Sequence, residues 1–182
     1  IENAITCAIV DIDTAKRLSS TAVSMNRKIK VHIKIDTGMG RIGFQPDDEG
    51  YSFIKEIFTL DGLFVEGIFT HFACADSADK TSTYNQKQKF LAFYDRLKSE
   101  GYSVPLCHMY NSASVIDLDE DCGVMVRCGI MAYGLYPSED VSRDFILYPA
   151  FEFKSSISFV KHVKKGFTIS YGSTYVTDKD MI

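Results

Sequence analysis

The stretch Val31-His32-Ile33-Lys34-Ile35-Asp36 decides how this sequence folds. A strand sends successive side chains to opposite faces, so Val31, Ile33 and Ile35 share one side and His32, Lys34 and Asp36 the other. A central strand of a doubly wound sheet is apolar on both faces. A barrel strand can instead turn polar groups inward near its C-terminal mouth, where barrel enzymes keep their chemistry. The two-faced stretch therefore favours a barrel.

Working outward, residues 5–10 form an earlier apolar run of strand length, and residues 63–69, 104–110 and 124–130 supply three later ones. Helical spacing fills the gaps. Ala15, Leu18, Ala22 and Met25 follow a cap at Asp13 or Thr14, and Tyr51, Ile54, Ile57 and Phe58 follow Pro46. A third helix carries Phe90, Leu91, Tyr94 and Leu97, opened by a capping box of Thr83 and Gln86 and ended by Gly101. A brief helix follows Asn111. Strands alternating with helices predict a parallel sheet with helical crossovers. From about residue 150 the texture changes. Residues 151–163 and 167–176 alternate with strand period on either side of Lys164-Lys165-Gly166, which predicts a β-hairpin in an all-β domain. Residues 138–149 read as the linker.

Composition narrows the function. The chain has 182 residues, 46% hydrophobic and 24% charged, which is ordinary for a globular domain. A net charge of −4 with no cationic cluster argues against a nucleic-acid surface. No apolar run has the roughly 18–20 residues of a membrane span. The five cysteines are odd in number and form no CxxC pair, which points to a reduced, cytoplasmic setting. A start at Ile1 and an end at Asp180-Met181-Ile182 suggest a piece of something longer.

Gly38-Met39-Gly40-Arg41-Ile42-Gly43 matches the literal GxGxxG of dinucleotide sites. Arg41 inside the turn, a helix delayed until after Pro46, and Thr70-His71 where a ribose-binding acid would stand all count against a nicotinamide site. His71 falls at a strand end. Neither His71/Cys74 nor Cys107/His108 has a second clustered pair, so no metal is expected. Arg127, mid-strand, requires an anion or acceptor, since arginine is almost never buried unpaired. Asn111-Ser112-Ala113-Ser114, between a strand and a short helix, suits a phosphate or an ordinary N-cap.

Taken together these segments resemble the alanine racemases, pyridoxal-phosphate enzymes that interconvert L- and D-alanine. The likeness is carried by Val31 through Gly43, by Gly67-Ile68-Phe69-Thr70-His71-Phe72-Ala73 and by Asn111-Ser112-Ala113. It continues in Val126-Arg127-Cys128-Gly129-Ile130-Met131-Ala132-Tyr133-Gly134-Leu135-Tyr136-Pro137 and in Ile169-Ser170-Tyr171-Gly172-Ser173-Thr174-Tyr175. The resemblance implies a partial (β/α)8 TIM-type barrel, about strands 4–8, over residues 1–137, and the beginning of a β domain over residues 150–182. It implies pyridoxal 5'-phosphate as cofactor and a homodimer with active sites shared between subunits.

The same resemblance assigns roles. Tyr171 matches a catalytic tyrosine of the opposite subunit, which acts as one of two bases. His71 matches a histidine bonded to that tyrosine, and Arg127 an arginine that contacts the histidine and faces the cofactor's ring nitrogen. A free phenol titrates near pH ~10, so it needs such help to act as a base near neutrality. Arg41 matches the arginine that contacts the cofactor and the substrate carboxylate. Lys34 matches a lysine often carbamylated, which orients that arginine. Ser112, Gly129 and Ile130 match phosphate-binding positions. The other base, the family's cofactor-binding lysine, has no match here, so the stretch alone is expected to be inactive. Serine racemases of the same family, and a non-catalytic carrier of the cofactor on the same barrel, are the alternatives.

Overall fold

The computed structural model describes residues 2–118 and 125–182. Four strands form one sheet in the order β1 (Cys7–Ile9), β2 (Ile29–Lys34), β3 (Leu63–Phe69), β4 (Leu106–His108), and every neighbouring pair is parallel. Crossovers run through α1 (Ile12–Ser24), α2 (Asp48–Phe58) and α3 (Thr81–Ser99), and α4 (Ser112–Asp117) follows β4. A sheet whose spatial order repeats its chain order winds always in one direction, as in a barrel, whereas a doubly wound sheet reverses at a switch point. The fold is thus an α/β barrel type with a parallel sheet.

β2 has the two faces its period predicts. Val31, Ile33 and Ile35 are fully buried in the apolar core with Ile54, Ile57, Ile68, Phe90 and Leu97. Lys34 and Asp36 on the other face are buried too, among polar partners. Between β2 and β3 the register slips at Val31/His32, so that Val31 pairs with Val65 but His32 with Gly67. Glu66 is the extra residue of a bulge, a device that re-aims a side chain. Gly67 is needed there, since a Cβ would sit 2.7 Å from the His32 ring.

Several elements differ from what their local patterns predict. The cap of α1 is Asp11, not Asp13 or Thr14: its carboxylate accepts from Thr14 N at 2.7 Å and from the Thr14 hydroxyl at 2.8 Å. α3 begins at Thr81 with no side-chain cap, so Thr83 and Gln86 form no capping box. Both are buried inside the helix, and tertiary partners claim Gln86 instead. Gly101 does end α3, at φ +87°, with Tyr102 N bonded to Leu97 O. β4 spans three residues rather than seven. The expected fifth strand is absent over residues 125–129, although Arg127 N donates to Tyr110 O at 3.0 Å and extends the ladder by one bond. Its first residue, Val124, lies outside the described residues, as does Cys122.

The chain divides into two compact units, Ile1–Ala150 and Phe151–Ile182. Residues 138–149, read as a linker, pack on the first unit: Val141 is buried in its core and Ser142 N donates to Asp117. In the second unit β5 (Thr168–Ile169) pairs antiparallel with β6 (Tyr175–Val176). The Lys164-Lys165-Gly166 turn forms, but the expected strand over residues 151–163 does not. Only Val163 pairs, with Met181. The partner that residues 167–176 were expected to find upstream is supplied from within the same segment. No helix among the described residues is long and apolar enough to cross a membrane.

Candidate functional site

At the C-terminal ends of β2, β3 and β4 the first unit gathers Lys34, Asp36, Arg41, Thr70, His71, His108, Ser112 and Arg127. The turn after β2 is built around Asp36. Its carboxylate accepts from Gly38 N (3.1 Å), Gly40 N (3.0 Å) and Arg41 N (3.0 Å). Burial works to raise the Asp36 carboxyl, but these N–H groups and Lys34 outweigh it and the carboxyl titrates lower than usual. Gly38, Gly40 and Gly43 take φ of +144°, +68° and +114°, and Phe44 returns to bridge Ile35. Three of the GxGxxG amides are therefore spent on a side chain, and α2 starts only at Asp48. The turn is braced from within and opens no helix at its end, unlike a dinucleotide site, which counts against the nicotinamide reading.

Lys34 is 2% exposed; its ammonium donates to Ile35 O at 2.8 Å and lies over the Phe69 ring. Burial, opposed by Asp36 and aided by Arg41 and Arg127, pulls its amine from 10.5 down to about 8. Arg41 itself is exposed.

Arg127 ties the strand ends together. One guanidinium nitrogen meets His108 Nδ1 at 2.6 Å; the other donates to Thr70 O at 2.7 Å and Met109 O at 3.3 Å, with His71 Nδ1 at 3.5 Å. A guanidinium only donates, which orders everything behind it. His108 Nδ1 must accept, so Nε2 carries the proton and donates to His32 Nδ1 at 2.7 Å. His32 Nε2 then faces Glu66 at 3.4 Å, and Glu66 pairs with Lys30 at 2.6 Å. A chain of Arg127, His108, His32 and Glu66 thus runs along the inner face with one consistent set of tautomers. Phe69 stacks flat on His108 at 4.9 Å and holds the ring in place.

Burial, then Arg127 and His32, pull His108 from 6.5 to about 3. Burial and the neighbouring cations Arg127, Arg41 and Lys34 also lower His71. Both rings are neutral near pH 7. For His108 the sign is fixed: between pH 6.5 and about 3 the unfolded chain takes a proton that the folded chain refuses, so stability falls with pH across that window. In His108→Gln, the curve of thermal midpoint against pH is expected to be flatter over that window than in the unsubstituted protein. Equal slopes would take His108 out of acid unfolding.

Beside Arg127 lies a cavity of about 300 Å³ whose wall includes His71, Asp76, Ser112, Arg127, Gly129 and Ile130. Ser112 Oγ accepts from Gly129 N at 2.9 Å and Met131 N at 3.4 Å, so a hydroxyl and backbone amides converge on one spot. Asn111 and Ser114 cap α4 reciprocally and fix Ser112 at its first turn.

Of the residues singled out in the sequence, Lys34, Arg41, His71, Ser112, Arg127, Gly129 and Ile130 all stand in this unit. Tyr171 stands in the second unit, on the short turn of the β5–β6 hairpin, 99% exposed. The sequence does not announce His32, Glu66 and His108 as a linked set. Their signal was there: polar side chains recurring inside otherwise apolar strands. Glu66 stayed hidden because a bulge breaks the period of two.

A sequentially wound parallel sheet with polar strand ends, and a half-buried arginine beside a cavity of about 300 Å³, define an α/β domain of barrel type with a polar pocket at its strand ends. The chain belongs to the family described as alanine racemase, N-terminal domain, which matches residues 1–137. It is 46% identical over 180 residues to an alanine racemase of Clostridium perfringens, covering 98% of this chain and 47% of that protein. An alanine racemase of Methanococcus maripaludis is 43% identical, with 98% and 48% covered. A solved alanine racemase of Clostridium difficile 630 superposes with a TM-score of 0.85 at 41% identity, covering 99% of this chain and 47% of that one. Another structure of that enzyme, in complex with cycloserine, gives 0.80 at 42% identity, with 82% and 42% covered. The chain spans about half the length of the curated relatives it matches.

Proposed function

We propose that this chain is part of an alanine racemase, comprising about strands 4–8 of its barrel over residues 1–137 and the beginning of its β domain over residues 150–182. The observation that carries the reading is the guanidinium of Arg127, locked between His108 and Thr70 and in reach of His71, beside a pocket where Ser112 and two backbone amides converge. The relatives are named for alanine, so alanine rather than serine is the substrate proposed.

Pyridoxal 5'-phosphate fits the residues present. Its phosphate would be held around Ser112, with Gly129 and Ile130 as the proposed amide donors once Gly129 N turns from Ser112 Oγ, and its ring nitrogen, an acceptor, would suit Arg127, which only donates. When bound, the cofactor supplies an electron sink for the Cα–H bond of the amino acid. The chain supplies the rest. Arg41 offers a cation to the substrate carboxylate from the turn that Asp36 braces. His71 Nδ1 faces the donor Arg127, so its proton sits on Nε2, a donor suited to a phenolate oxygen. Tyr171 from the partner subunit brings that phenol and moves a proton at its hydroxyl.

Lys34 supports the scheme in a second way. An amine with its pKa near 8 has an appreciable neutral fraction at neutral pH. That lone pair can add to carbon dioxide: an N–C bond forms, a proton leaves to solvent, and an anion results that can orient Arg41.

The test is the full-length protein loaded with pyridoxal phosphate. It is expected to interconvert L- and D-alanine and, supplied with isotopically labelled carbon dioxide, to carry the label on Lys34. A cofactor-loaded protein with no interconversion overturns the function, and an unlabelled Lys34 overturns the carbamate.

A further inference from the structure

The buried amide of Gln86 serves no helix cap and belongs to none of the segments that carry the family resemblance. It is 3% exposed on α3, and its polar contacts among the described residues go to strand-end loops. Its Oε1 accepts from Ala73 N at 2.8 Å. Its Nε2 donates to His71 O at 3.1 Å and to Thr37 Oγ1 at 3.2 Å. Thr37 in turn shares a proton with Thr70 Oγ1 at 2.7 Å, and Thr70 O holds Arg127. The orientation is unique, because a flipped amide would set nitrogen against the Ala73 N–H and oxygen against the His71 carbonyl. Gly38 packs against the same side chain: a Cβ there would lie 3.2 Å from Gln86 Cγ.

We infer that Gln86 is a positioning residue for His71, clamping the backbone on both sides of Phe72 and tying that loop to the Thr37–Arg41 turn. The imidazole needs such a clamp because its one side-chain hydrogen bond among the described residues, to Arg127, is long at 3.5 Å. Orientation must then come through the backbone, and Gln86 grips it at residues 71 and 73. The same amide reaches Thr37 at the root of the turn that carries Arg41, so the histidine and the substrate-binding arginine share one anchor on a rigid helix. A displacement of about 1 Å at such a site can cost up to about a hundredfold in rate.

The consequence for turnover rests on the racemase reading; the clamp itself does not. The test uses the full-length, cofactor-loaded protein with Gln86→Met, which keeps the shape and removes every polar atom. Hydrogen exchange at residues 71–73 and 37–41 is expected to speed up at least tenfold while β1 and α1 keep their protection; unchanged exchange overturns the clamp. Turnover is expected to fall about tenfold to a hundredfold, with KM for alanine moved far less. Turnover within twofold of the unsubstituted enzyme overturns the positioning role. If the unsubstituted protein racemises nothing, the function has failed, and the exchange result still decides the clamp.

Gln86→Glu gives an independent readout and stands in should the methionine variant not fold. A protonated carboxyl reproduces the amide's pattern of one acceptor and one donor, whereas a carboxylate repels the His71 carbonyl. Its turnover relative to the unsubstituted enzyme is expected to rise as pH falls. A ratio independent of pH overturns the proposal.

Discussion

Lysine in place of Arg127 is expected to lower alanine turnover of the full-length protein by about a hundredfold or more. The charge survives this substitution; the fork does not. One side of the guanidinium meets His108 Nδ1 at 2.6 Å while the other reaches Thr70 O at 2.7 Å and Met109 O at 3.3 Å. A compact ammonium can serve one side or the other but cannot span both. His108 loses the donor that fixes its tautomer, and the order passed on to His32 and Glu66 goes with it. Arg127→Leu removes charge and fork together. It leaves buried acceptors unpaired at roughly 1–3 kcal/mol each, so its thermal midpoint should fall as well. Measuring both variants separates the two contributions. If the lysine form turns over within twofold of the unsubstituted enzyme, the ordered chain behind Arg127 has no part in catalysis.

That chain also marks where sequence reading reaches its limit. The period of β2 needs only strand geometry, so Val31, Ile33 and Ile35 could be assigned to the core and Lys34 and Asp36 to the polar face without knowing any neighbour. Arg127 could be expected to need an acceptor on general grounds, but nothing local says that the acceptor is His108, 19 residues upstream. Gln86 shows the same limit from the other side. A Thr and a Gln three positions apart satisfy a local rule, and the rule was beaten by Ala73, His71 and Thr37, contacts set by the packing of α3 over the strand ends. The second unit fails differently. Residues 151–163 have the alternation of a strand, but Phe153 and Ile157 are exposed, and of these positions only Val163 forms a β-bridge, with Met181. Alternation reports a face that can be buried and does not name what buries it. The site residues supplied by motif, by contrast, mostly sit together, because turns such as the Asp36 loop are determined within a few residues.

Tyr171→Phe is expected to reduce racemisation about a thousandfold while the cofactor stays bound, since only a proton carrier is lost. The tip that carries Tyr171 is built for display rather than packing. Ser170, Gly172 and Ser173 take φ of +64°, +73° and +48°, and the ring between them is 99% exposed within its unit. Positive φ at two serines is strain that a free loop would relax, and such strain gathers where a side chain must be held at a set angle. A phenol held outward serves chemistry only if something meets it, and the partner subunit is the proposed location. Mixed dimers decide this. When Tyr171→Phe subunits are combined with Arg127→Leu subunits, a shared site places both lesions in one active site and leaves the other intact. Turnover should then rise well above that of either variant alone. If each subunit used its own tyrosine, every site would carry one lesion and mixing would restore nothing. No recovery from a verified heterodimer would therefore move Tyr171 back to its own subunit, and full turnover by Tyr171→Phe would remove it from the reaction.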